Sequence, residues 1–99
     1  MKKFMLLYRG AWDDKAPSQE TMDAWSEWFA FLGDKIVDSG NPFGPGREIS
    51  PAGTKELSLD AEAITGYTLI NAEDIDDAEK IALACPVVTS IQVYEAMPM

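Results

Sequence analysis

Six side chains able to grip a charged or planar molecule are spread along this chain: Tyr8, Arg9, Trp25, Trp28, Arg47 and Tyr67, with Trp12 as an outlier between the first two elements. Brought to one place they form a pocket in which an arginine holds an anion and the rings sandwich a flat ligand. The same residues also have a purely structural reading, with Trp25 in the core, Trp28 and Tyr67 at its rim and the arginines paired with carboxylates. A second set is Asp60 and Glu62, two residues apart. On a strand they point the same way, and repulsion between them raises one pKa, the arrangement of a general acid and base. Tyr67 is a further candidate for moving a proton. On a solvated loop, Asp60 and Glu62 are only exposed charge.

Two other clusters have simpler explanations. Glu73, Asp74, Asp76, Asp77 and Glu79 resemble a calcium loop in charge alone, because the mid-loop glycine and the terminal glutamate are missing. At a helix start they make immediate sense, with Asp74 capping and its neighbours opposing the macrodipole. Cys85 reads as a small core residue, since no basic neighbour favours its thiolate.

What the chain lacks removes whole classes of chemistry. There is no histidine, so Ser-His-Asp and Cys-His mechanisms and His-containing metal sites are excluded. One cysteine cannot form an internal disulfide, which points to a reducing compartment. The 17 acidic and 8 basic residues give a net charge of −9. That balance disfavours nucleic acid and anionic membranes as partners. The apolar run from Phe4 to Tyr8 is too short for a signal peptide, and no stretch approaches a membrane span, so a cytoplasmic protein is expected. No cofactor and no metal are expected.

The elements that must position these groups are legible from spacing. Residues 3–9 read as a strand with apolar side chains on both faces, Phe4, Leu6 and Tyr8 on one and Met5 and Leu7 on the other. Met22, Trp25, Phe29, Leu32 and Ile36 recur at helical spacing, which predicts a helix over 18–39, capped by Ser18 and stopped by Gly40. Phe31 falls opposite that stripe and asks for a second cover. Residues 47–50 read as a short strand interrupted by Pro51 and Gly53, residues 54–59 as a strand or an irregular connection, and 66–71 as a strong strand. Asp74 opens a second helix that closes before Pro86, and 90–95 alternates as a final strand.

This order, β-α-β-(β)-β-α-β in a single domain over 1–99, is that of an α+β protein on the ferredoxin-like split βαβ plan: an antiparallel sheet with two helices on one face. Two helices cover one face only, yet the first strand is apolar on both. The other face is then covered by a second copy, which predicts a homodimer packed sheet against sheet unless residues 54–65 fold across it.

The opening Lys-Phe-Met-Leu-Leu-Tyr-Arg-Gly, the Ser-Gln-Glu-Thr-Met helix start, Gly40 with Gly44, Gly46 and Ser50-Pro51, Gly66-Tyr67, Ala78 with Cys85-Pro86, and the closing Ile-Gln-Val-Tyr-Glu-Ala-Met-Pro-Met together resemble the YCII-related proteins, in particular their DGPF-domain branch. The resemblance spans nearly the whole chain and implies a dimeric α/β barrel. It also carries departures. The Asp-Gly-Pro-Phe signature is absent from the stretch before Gly66, where Asp60 is its one remnant, and the histidine that pairs with an aspartate in members with a suggested enzymatic role has no counterpart. The expectation is therefore a small homodimeric ligand-binding or interaction module taking a small anionic or aromatic molecule. The alternative is a His-free lyase or isomerase acting on a small acidic or aromatic substrate, with Asp60 or Tyr67 moving the proton and Arg9 or Arg47 holding the anion.

Overall fold

A computed structural model of the chain describes residues 1–10, 19–58, 63–86 and 90–98. The chain runs β1 (Lys2–Arg9), α1 (Gln19–Leu32), a 3₁₀ turn (Gly33–Lys35), β2 (Ile36–Asp38), β3 (Gly46–Ser50), β4 (Gly53–Leu57), β5 (Ile64–Ala72), α2 (Ile75–Leu83) and β6 (Ser90–Ala96). The main sheet has the order β2-β5-β1-β6 and every neighbouring pair is antiparallel. The connection from β1 through α1 to β2 leaves β5 between its two strands, and that from β5 through α2 to β6 leaves β1 between. These interleaved units are the ferredoxin-like α+β arrangement.

Strand alternation sorts the sheet into two faces. Phe4 and Leu6 on β1 and Thr68, Ile70 and Ala72 on β5 are buried, and they meet Trp28 and Leu32 of α1 and Ala78, Ile81 and Ala82 of α2. Both helices thus pack on one side. Met5, Leu7, Tyr67, Leu69 and Asn71 alternate to the other side, joined by Gln92 and Tyr94 of β6, which stand opposite Leu7 and Met5. No described element lies over this second face. Burying Phe4, Leu6, Leu32 and Ile70, each 0 or 1% exposed, stabilises the fold by roughly 1.5–3 kcal/mol apiece.

The first helix is shorter than its hydrophobic stripe suggests. It ends at Leu32 because Gly33 adopts φ +51°, and Ile36 leaves the helix for β2, where it pairs with Ile70. Met22 is half exposed, and Trp28, beside the stripe, is buried at 3%. Phe31 is exposed and lies beneath the Lys35 ammonium, 5.5 Å from the ring centroid. Its cover is a cation rather than a second packing surface. Ser18, the expected cap, lies outside the described residues.

The strands that form the sheet also differ from those expected. Residues 46–50 do not enter it; three-residue β2 takes that position. The 46–50 segment pairs instead with β4 as a separate two-stranded hairpin, turned at residues 51–52. Residues 53–57 are a strand, and those described between 54 and 65 do not cover the second sheet face. The second helix matches its reading: the Asp74 carboxylate accepts the Asp77 N–H at 2.8 Å, and Asp77 accepts the Glu73 N–H at 3.0 Å. One N-terminal donor of the helix is thereby satisfied, the residue before the cap is tied to the first turn, and the acidic run acts as a cap. Among the described residues, no helix is long and apolar enough to cross a membrane.

Candidate functional site

The six candidate binding residues occupy three different places. Tyr8, Trp25 and Trp28 do come together, under the helices. Their rings meet edge to face, with centroids 5.2 Å apart for Tyr8 and Trp25, 6.2 Å for Tyr8 and Trp28, and 5.8 Å for the two indoles. The polar tips of Trp28 and Tyr8 are used internally. The Trp28 indole N–H donates to the Ile81 carbonyl at 3.2 Å, and the Tyr8 hydroxyl is hydrogen-bonded to Thr68, whose own hydroxyl donates to the Ser39 carbonyl at 3.0 Å. Burial raises the Tyr8 pKa well above the ordinary phenol value, so it stays protonated at neutral pH. Trp28 is core, and Tyr8 and Trp25 are half-buried against it, so the three rings pack on one another rather than line an open pocket.

Tyr67 lies on the opposite face of the sheet. It faces Leu7 across the β1–β5 ladder, and alternation puts Arg9 on the same side. Arg47 belongs to neither group, because it stands on the hairpin opposite Glu56. Asp60, Glu62 and Trp12 lie outside the described residues.

Around Tyr67 the structure assembles a small polar and aromatic unit. The Tyr67 hydroxyl donates to Asp38 Oδ2 at 2.9 Å, while Asp38 Oδ1 accepts the Gly40 N–H at 2.9 Å. The neighbouring Asn41 side chain opposes the effect of Asp38 weakly, lowering the Tyr67 pKa. Phe43 stacks on the Tyr67 ring, with centroids 5.6 Å apart and planes 27° from parallel. The segment carrying these groups is fastened to β5 by a Phe43 N–H bond to the Thr65 carbonyl at 2.8 Å and by a bridge between Pro42 and Gly66. Gly40 permits this fit: at φ +80°, a Cβ would lie 1.7 Å from the Tyr67 carbonyl oxygen. The hydrogen bond to Asp38 is the main cause of a raised Tyr67 pKa, with a further contribution from the charge of Asp38. The phenol is therefore a held donor at neutral pH and a poor proton acceptor.

Sequence reasoning reached Tyr67 but missed Asp38, Asn41 and Phe43. The helix expected over 18–39 takes in Asp38, and Asn41 and Phe43 carry no periodic signal. The available signal was Gly33, the earlier glycine able to end the helix and free residues 36–38 for a strand.

A cavity of about 530 Å³ lies between α2 and β6, lined chiefly by Ile75, Ala82, Leu83, Cys85, Ile91 and Val93. None of the six candidate residues lines it. Burial pushes the Cys85 thiol pKa up to about 12, so the thiol is unreactive near neutral pH. Among the described residues, no group of three or more Cys, Asp or Glu side chains is placed to hold a metal ion. Compared with protein-family models and with curated proteins, the chain matches none.

Proposed function

We propose that this chain is a cytoplasmic homodimeric ligand-binding module, related to the YCII-like proteins and paired through its second sheet face as a dimeric α/β barrel, with a small aromatic anion bound at the rim around Tyr67. The observation that carries this reading is the Asp38–Tyr67 hydrogen bond, locked by Gly40 and stacked by Phe43 at the border of an apolar sheet face. The paired rings offer a flat apolar surface, held so rigidly that little ordering cost attends binding. Arg9, two residues beyond the Leu7 partner of Tyr67 and on the same side of β1, supplies attraction for a carboxylate.

The dimer rests on two further arguments. Met5, Leu7, Leu69 and Tyr94 form an apolar centre on a face that no described element covers, with Tyr94 57% exposed. Charge points the same way: in a chain of net −9, this face carries Lys3 and Arg9 against Asp38. Two copies meeting here bring few carboxylates together, which lessens the mutual repulsion of two chains of net −9.

Binding is favoured over proton transfer because the Asp38 hydrogen bond raises the Tyr67 pKa. A catalytic tyrosine working near neutral pH needs the opposite shift. Amide chemical shifts during titration with benzoate, with acetate and phenol as controls, test the site. Saturable changes at Asp38, Asn41, Phe43 and Tyr67 are expected, tighter for benzoate than for either control. Tyr67→Phe should weaken binding about tenfold, or ~1.4 kcal/mol. Changes confined to the α2–β6 cavity, or none at all, would contradict the assignment.

A further inference from the structure

The β3–β4 hairpin pairs with no strand of the main sheet, and every residue in it except Gly46 is exposed. Ile49 is 80% and Leu57 44% exposed, one on each side of the ribbon. A two-stranded ribbon with five-residue strands is marginal in water without a surface to pack on. Its own chain provides little. The molecule measures 40 by 39 Å but only 18 Å along its shortest axis, whereas a hairpin laid over the second sheet face would add about 10 Å as a third layer. The ribbon therefore extends sideways from its root beside Phe43. The radius of gyration, 14.6 Å, exceeds the roughly 13 Å of a compact chain this long, as a projecting arm requires.

We infer that the hairpin is an arm that packs on a second copy of this chain, using Ile49 as its apolar anchor; the inference rests on the sheet-face dimer proposed above. Three observations choose this occupant. A face four strands wide and about six residues long projects to roughly 400 Å², a modest patch for an interface that buries ~800 Å² of accessible surface per partner. An arm reaching about 17 Å, the length of a five-residue strand, adds to that patch. The arm is also electrically neutral: Arg47 stands opposite Glu56 and Glu48 opposite Lys55, so it can lie against an acidic body without repulsion. Finally, its root adjoins the sheet face, through the stacking of Phe43 on Tyr67. Arm and face can thus form one continuous interface.

Sedimentation equilibrium of the full chain and two exposed-site variants, Ile49→Asp and Tyr94→Glu, separates the two claims. Far-UV circular dichroism first establishes that each variant keeps the native fold. The arm predicts that Ile49→Asp weakens the dimer at least tenfold. Loss of the dimer in Tyr94→Glu with no change in Ile49→Asp overturns the arm and leaves the sheet face standing. The reverse pattern overturns the sheet face and, with it, the continuous interface of arm and face, and a monomeric parent chain overturns both.

Discussion

The Tyr67 hydroxyl donates to Asp38 across the β5–β2 ladder, and that bond ties a three-residue strand to the only cluster of polar and aromatic groups that the described residues bring together on the open side of the sheet. The bond also sets a pH dependence. With its pKa raised above 10.0, folded Tyr67 keeps its proton more tightly than the unfolded chain does. Its contribution is fully present below about pH 10 and is lost as pH rises through the folded value. Unfolding midpoints measured from neutral to strongly alkaline pH should fall less steeply in Tyr67→Phe than in the parent. Tyrosinate absorbance should show Asp38→Asn lowering the pKa of Tyr67. Identical alkaline slopes in parent and Tyr67→Phe would remove the bond from the account.

Two glycines with positive φ make a matched pair. Gly40→Ala forces a methyl group onto the Tyr67 carbonyl, a backbone atom with no room to move, and should cost about 3 kcal/mol or more. Gly33→Ala meets nothing within 4 Å, so only the left-handed backbone penalises it, by about 1–2 kcal/mol. Urea denaturation of both variants measures the difference. Equal losses would mean that the close approach at Gly40 adds nothing.

Trp28 joins the helix layer to the sheet and uses its indole N–H on the Ile81 carbonyl. Replacing it with alanine should cost about 3–5 kcal/mol, a large share of the roughly 5–15 kcal/mol that holds a domain of this size. Trp28→Phe keeps most of the contact but loses the hydrogen bond, and should cost about 1–2 kcal/mol. Thermal unfolding of the two variants checks the order.

The topology was legible because its signals are periodic: the two-faced first strand, the α1 stripe as far as Leu32, the Asp74 cap and the alternating last strand all hold. What failed turned on single residues. A helical spacing from Met22 to Ile36 carries no mark of the break at Gly33, whose left-handed backbone alone diverts Ile36 into β2. The strand expected at 47–50 forms, but its partner is not legible, since pairing between strands is a long-range choice that local pattern does not encode. The candidate site split for a related reason. Tyr8 and Tyr67 both read as aromatic strand residues, and only the β1–β5 register shows that one faces the helices and the other faces away.

The most direct test of this account is the mass of the chain in solution. Sedimentation equilibrium at micromolar concentration should give twice the 10.9 kDa chain mass, since the proposed dimer covers the face bearing Met5, Leu7, Leu69 and Tyr94 with a second copy. A single 10.9 kDa species at every concentration would contradict it.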